Sequence, residues 1–276
     1  MKQALFFSSL LLSVVFILGC SGGDNPAAPV NGDFVYPLHV GNRWQYTITE
    51  TLSNFNPPIP GMTDSTSTFN STVETVAIDT IEGSIEVYRF LEQTSRGLKW
   101  TALYKNQVDG MYLYEGPFTN SLPKNSKDAN SSPRERSLSS DFILQSTFPV
   151  LSRKLTPLKI LHYPFEIDQQ WLVQQVNNPT TIINRIDKKV VGTELVQTPA
   201  GKFGCFKIQW LFMDAKGRLL QDIERMDYIC PQGLVKRSTF TRNALLWAGA
   251  GNEPFGTADR KVEIELMQIQ LENLPK

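Results

Sequence analysis

Beyond Gly32, apolar and polar residues alternate along most of this chain, the period of a half-buried strand rather than the period of about 3.6 residues of a helix face. Trp44, Tyr46 and Ile48 alternate with Gln45 and Thr47. Leu98, Trp100, Ala102 and Tyr104 alternate with Lys99, Thr101 and Lys105, and Phe206, Ile208, Trp210 and Phe212 with Lys207 and Gln209. Ile182, Ile186 and Val190 are spaced by four, which a helix would also permit, but β-branched residues carry the pattern and Gly192 interrupts it, so it reads as strand. Val262, Ile264 and Leu266 share one face while Met267, Ile269 and Leu271 share the other, which predicts a bulge near Leu266. Breakers punctuate these runs: Pro57, Pro58 and Pro60 deny the ladder its N–H groups, Gly83 marks a turn, and Asp214-Ala215-Lys216-Gly217 reads as a hairpin loop. The pattern predicts an all-β, antiparallel protein with little helix.

The motif Tyr36-Pro37-Leu38-His39-Val40-Gly41-Asn42-Arg43-Trp44 returns at identical spacing as Tyr163-Pro164-Phe165-Glu166-Ile167-Asp168-Gln169-Gln170-Trp171. Ile78 to Phe90 aligns with Val196 to Ile208, and Asp109-Gly110 with Gln232-Gly233, so element order is kept while loop lengths change. Two copies are fewer than the roughly three that a stacked solenoid requires. The expected architecture is therefore a pair of duplicated halves in one domain, forming a large curved sheet, a half-barrel or a barrel-like sandwich. The first β repeat spans 34–116, a mobile loop and connector 117–160, and the second repeat 161–276. Tyr36, Pro37, Trp44, Tyr163, Pro164 and Trp171 are its expected structural anchors.

Charge and leader narrow the setting. Formal net charge is zero across 276 residues, which gives no electrostatic footprint for nucleic acid. Lys2, an apolar run from Ala4 to Leu18, and Ile17-Leu18-Gly19-Cys20 read as an export signal over 1–19, too short for the ~20 residues of a membrane span. This end resembles a bacterial lipoprotein lipobox, which implies cleavage before Cys20, diacylation of its sulfur and acylation of the new terminus. Residues 20–33 are Gly- and Pro-rich and read as a flexible tether. Sorting rules of enteric-type lipoproteins retain an Asp after the lipid cysteine in the inner membrane; Ser21 stands there, which points to the outer membrane, facing the periplasm.

Candidate chemistry is sparse. His39 and His162 are the only histidines, without a Cys/His/acid cluster at ligand spacing, so no metal and no cofactor is expected. No Gly-x-Ser-x-Gly elbow occurs, and Ser121-Leu122-Pro123-Lys124 matches the Ser-x-x-Lys spacing without its companion motifs. Arg134-Glu135-Arg136 reads as a solvated patch, and Leu245 to Gly251 as an apolar crossover or a partner contact. The 16 Phe, 8 Tyr and 5 Trp either fill a β core or line a cavity. The motif Tyr-Pro-Leu-x-Val-Gly-Asn-x-Trp, with Thr198 to Phe203 and Gly233 to Lys236, resembles a scattered family of uncharacterised bacterial lipoproteins and secreted proteins. The resemblance implies an envelope location and a β fold. A more distant analogy, of fold alone, is to the carriers and receptors of lipoprotein sorting. The expected function is non-enzymatic binding of an apolar ligand or an envelope partner on the concave sheet. The alternative is a periplasmic hydrolase of cell-wall or glycan material, which two acids in one cleft would favour.

With Cys20 taken by lipid, Cys205 and Cys230 remain in an exported chain, on the arms of one predicted hairpin, and a disulfide between them is expected. A two-residue Lys216-Gly217 loop would make them diagonal neighbours about 7 to 8 Å apart. A disulfide tolerates roughly 4.4 to 6.8 Å between Cα atoms, so the bond requires a longer loop or a local distortion.

Overall fold

A computed structural model describes residues 34–60, 63–119, 157–175, 182–247 and 254–272, and every regular element among them is a strand. In chain order these are β1 (Arg43–Asn56), β2 (Asp64–Ile81), β3 (Ile85–Thr94), β4 (Lys99–Gln107), β5 (Gly110–Thr119), β6 (Leu158–His162), β7 (Gln170–Gln175), β8 (Arg185–Thr198), β9 (Gly201–Met213), β10 (Ile223–Cys230), β11 (Gly233–Trp247) and β12 (Pro254–Gln270). They form one antiparallel sheet in the order β6-β5-β4-β3-β2-β1-β12-β11-β10-β9-β8-β7. The alternation seen in the sequence is the physical cause. Trp44, Tyr46 and Ile48 are buried on β1, and Phe206, Ile208, Trp210 and Phe212 on β9, while Gln45, Thr47, Lys207, Gln209 and Leu211 between them are only half-buried.

Two six-strand meanders thus meet through β1 and β12, which pair from Arg43↔Gln270 to Asn56↔Thr257. The other ends, β6 and β7, come to lie side by side without a ladder between them. The result is a nearly closed barrel with a single seam among its described strands. Met267 is skipped where Gln45 pairs with Gln268 and Tyr46 with Leu266, which is the bulge the apolar pattern required.

The motif copies stand directly before β1 and β7, the first strands of the two meanders. Gly110 and Gly233 open the fifth strand of each, both at positive φ. A Cβ on Gly110 would collide with the Leu161 carbonyl, and one on Gly233 would lie 2.9 Å from Trp44 Nε1, so in each copy the missing side chain permits a close approach. Three boundaries differ from the sequence reading. Strand β5 runs on to Thr119 and β6 starts at Leu158, so ladder pairing extends into both ends of the stretch read as connector. Leu245 to Trp247, read as loop, belong to β11, where backbone pairing with β12 outweighs the apolar composition. Cys20, the tether, Ser121 to Lys124, Arg134 to Arg136 and Ala248 to Gly251 lie outside the described residues.

The core is where the motif copies meet. Phe34, Tyr36 and Leu38 run into the barrel ahead of β1 and are buried there. Phe34 stacks on Phe165 at 5.1 Å and meets Tyr163 edge-on at 5.9 Å, while Phe165 packs on Phe206 at 4.9 Å. Hydrogen bonds fix this contact. The Tyr36 N–H donates to Tyr163 Oη at 2.9 Å, Tyr163 Oη donates to Asn106 Oδ1 at 3.1 Å, and Asn106 Nδ2 donates to the Tyr36 carbonyl at 2.8 Å. Trp44 Nε1 reaches the Gln232 carbonyl at 2.7 Å, and Trp171 is buried on edge strand β7. Pro37 gives its carbonyl to Asn42 Nδ2, and Pro164 follows a cis peptide bond. Val40 and Ile167, which also match between the copies, are exposed, so the repeat is not a core pattern at every position.

Tyr163 closes that ring of bonds, so Tyr163→Phe leaves the buried Tyr36 N–H without its acceptor and is expected to cost about 1 to 3 kcal/mol. The measurement is the shift in urea midpoint at unchanged m-value.

Candidate functional site

Strands β8, β10 and β11 carry charged residues on the inner face, at positions that alternation assigns to the core. Lys188 lies between buried Ile186 and Val190 on β8, Arg225 and Asp227 precede buried Ile229 on β10, and Arg237 follows buried Val235 on β11. The register lines them up. Trp171, Lys188, Trp210, Arg225 and Thr239 are successive cross-strand partners from β7 to β11, and Ile208, Asp227, Arg237 and Ile264 form the neighbouring row.

Asp227 is the centre of this cluster. Its carboxylate accepts from Arg237 Nε at 2.6 Å, Arg237 Nη2 at 3.0 Å and Trp210 Nε1 at 2.8 Å, and Lys188 Nζ stands 3.8 Å away. Burial opposes its ionisation, yet the Arg237 and Lys188 charges outweigh burial and bring its carboxyl to about 2. Lys188 shows the reverse balance: burial brings its ammonium down to about 7 against the pull of Asp227. Arg225, held down to about 9 by burial and by Arg237, donates to Thr239 Oγ1 at 3.2 Å. Across the interior, Ser71 Oγ donates to buried Glu92 at 2.6 Å, and the Glu92 charge favours the Arg237 cation. Cations crowd the Trp210 ring, with Lys188 Nζ 3.9 Å and the Arg225 guanidinium 5.0 Å from its centre. Ionised and occupied by three hydrogen bonds, Asp227 acts as an electrostatic anchor. Lys188 is the member poised to exchange a proton near neutrality.

Side chains bridge the seam where the backbone does not. Lys188 Nζ donates to the Ile160 carbonyl of edge strand β6 at 3.0 Å, and Gln169 meets His162 Nδ1 at 2.9 Å. Burial lowers the His162 pKa. His39 is exposed, and its Nδ1 meets the Val40 carbonyl at 3.1 Å. No group of three His, Cys, Asp or Glu side chains among the described residues is placed to hold a metal ion. A half-open pocket of about 210 Å3 lies where β9 to β11 meet the 214–222 connection, lined by Leu219, Leu220, Ile223, Arg225, Met226 and Phe240 among others.

Cys205 and Cys230 are both buried, and their thiols are free in this structure. The turn at Asp214 to Arg218 is tight, with Met213 bridged to Leu219, but β10 then starts at Ile223, and the register of Trp210↔Arg225 to Phe206↔Ile229 is displaced from that turn. One more step of the same register sets Cys230 directly opposite Cys205. The slack after the turn supplies the distortion that the two-residue loop lacked. Cys205 Sγ meets the Phe203 carbonyl at 3.6 Å and Cys230 Sγ the Gln232 side-chain oxygen at 3.0 Å, and the neighbouring Cys230 together with burial pushes the Cys205 thiol far up.

The sequence reading did not single out Lys188, Arg225, Asp227 or Arg237. A signal was present, because Lys188 shares the parity of Ile186 and Val190, and Asp227 that of Ile229. A charge at a core parity is the mark of a buried ion cluster.

Residues 165–249 match the DUF3108-like family. No curated protein matches the chain. Among solved structures, a Bacteroides fragilis protein described as exported, with a YmcC-like fold, aligns over 86% of this chain and 99% of its own at 13% identity and a TM-score of 0.36. A Parabacteroides distasonis protein described as a lipoprotein aligns over 87% of this chain and 100% of its own at 12% identity and a TM-score of 0.37. A DUF1329 family protein from Desulfovibrio piger aligns over 87% and 89% at 14% identity and a TM-score of 0.23.

Folding lowers the Lys188 pKa from 10.5 to about 7, so between these values the unfolded chain binds more protons and stability rises with pH. The free Cys205 thiol and the buried tyrosines 36, 46, 104 and 163 are shifted up, and their contribution is lost as pH passes 9.0 and then 10.0. The urea midpoint is expected to climb from pH 7 until the tyrosines of the unfolded chain ionise near 10.0 and then turn over, and Lys188→Met to flatten the climb. The cysteines are expected to close as a disulfide in exported protein, as intact mass after alkylation of the denatured chain would show; label at both positions without reductant would exclude it.

Proposed function

We propose that the protein is an exported, non-enzymatic β-barrel lipoprotein, tethered by Cys20 to the outer membrane on its periplasmic side, that holds an apolar ligand or an envelope partner. The leader sequence supports the tether. One structural observation supports binding: a sheet closed except at one seam, with an inner face of aromatic and aliphatic side chains drawn from both meanders. An apolar interior with a few convergent polar groups is the usual build of a ligand site. The rival hydrolase reading called for a pair of available acids. The buried acids of the interior, Asp227 and Glu92, are instead engaged by Arg237, Trp210 and Ser71.

Native mass spectrometry of protein extracted gently from membranes tests the proposal. The expected result is an excess mass, lost on unfolding, of a lipid-like molecule or a partner chain; a bare, lipidated chain would overturn it. Cys20→Ala is expected to move the protein to the soluble fraction, because the leader's apolar run is too short to span a bilayer.

A further inference from the structure

Two donors from neighbouring strands face the seam between β6 and β7. Trp171 and Lys188 are directly paired in the β7–β8 register, and both side chains are buried. Trp171 Nε1 meets no acceptor among the described residues, a condition that folded proteins rarely tolerate for a buried N–H. Its ring lies 6.1 Å from His162 on β6 and 6.4 Å from Phe165, so the indole sits at the junction of the two edges. Lys188 spends a hydrogen bond on the neutral Ile160 carbonyl of β6, where an ionised acceptor would bind its ammonium more strongly. The charged groups facing Lys188 are Asp227 and Arg225 from β10 and Arg237 from β11, while β6, β7 and β9 present the Ile160 carbonyl, Trp171 and Trp210. Asp227 accepts its hydrogen bonds from Arg237 and Trp210, and Lys188 Nζ stands 3.8 Å from it, beyond hydrogen-bond distance.

We infer that the β6–β7 seam is the mouth of the barrel interior and that Lys188 and Trp171 receive there the carboxylate of a long-chain, fatty-acid-like amphiphile. This rests on the reading of the protein as a binder of an apolar ligand, and it names the ligand class and the place of entry. An ammonium and an indole N–H on two directly paired residues supply one donor for each oxygen of a carboxylate. Without ligand, the Ile160 carbonyl occupies Lys188 and holds β6 against the second meander; the carboxylate displaces that carbonyl, and the short edge strand gives way. Leu161, Phe165, Val173 and Ile186, all buried beside the seam, supply the apolar surface for the first part of the chain. Strand β6 is suited to this movement, because its five residues are paired on one side only, to β5.

Equilibrium dialysis of the delipidated full-length protein against palmitate and against 1-hexadecanol tests the assignment. The two probes share a chain and differ in the head group. Palmitate is expected to bind more tightly than the alcohol. Lys188→Met is expected to weaken palmitate about tenfold or more while leaving 1-hexadecanol unchanged, and Trp171→Phe to weaken palmitate by a smaller factor. Lys188→Arg, which keeps the charge, should retain palmitate binding and guards against a variant that fails to fold. Equal palmitate affinity in the wild type and Lys188→Met would overturn the head-group assignment and leave the apolar-ligand reading standing. Binding of neither probe would overturn both.

Discussion

A sheet leaves unpaired N–H and C=O groups along its two outermost strands, and a protein must pair, cover or shorten them. Here the long strands are paired away: β1 and β12, 14 and 17 residues, take each other as partners and join two meanders into one surface. The unpaired edges fall to β6 and β7, of five and six residues. Native twist brings such a sheet round on itself, so these short ends arrive side by side. The seam, the side chains that bridge it and the buried cluster behind it all follow from that distribution of long and short strands.

The buried charges then have a structural logic of their own. A buried ion pair is weak evidence of stability, since desolvation offsets much of the attraction, but losing one partner typically costs about 3 to 5 kcal/mol. Asp227 with Arg237 therefore acts as a register pin. A one-residue slip of β10 would carry Arg225 and Asp227 to the outer face and bring Met226 and Tyr228 inward, breaking the contacts to Trp210, Thr239 and Arg237 together. Apolar alternation alone would penalise such a slip less, because outward positions on β9 to β11 include Leu211, Met226 and Phe240.

The strands were legible because period-two patterning has one physical cause, a sheet with one buried face. Even the bulge at Met267 showed as a change of parity between Leu266 and Ile269. The strand ends at Thr119 and Leu158 were less legible, since Asn, Ser and Pro around them suggest loop while a neighbouring ladder recruits the backbone. The site was harder still. Lys188 reads as one of two adjacent lysines, and only the register places it beside Trp171, Trp210 and the Ile160 carbonyl. The motif copies could be found by comparing the chain with itself. That Tyr163 would accept the Tyr36 N–H could not, because it depends on one segment entering the interior beside β1, in the middle of the sheet, and the other at the seam between its two ends.

That clasp makes the halves inseparable. Trp44, at the start of β1, spends its indole N–H on the Gln232 carbonyl at the turn into β11, and Gly233 beside it is bare so that the ring can approach. Tyr46 donates to the Leu234 carbonyl of the same strand. Either meander alone would expose a long edge, β1 or β12, and leave these buried donors without acceptors. The chain must therefore bring its two ends together before its core closes, a long-range requirement that makes folding slow and unfolding cooperative. Opening at β6 is different in kind: it breaks short pairings at a free edge and leaves the β1–β12 ladder intact, so the barrel can yield at its seam without losing its fold.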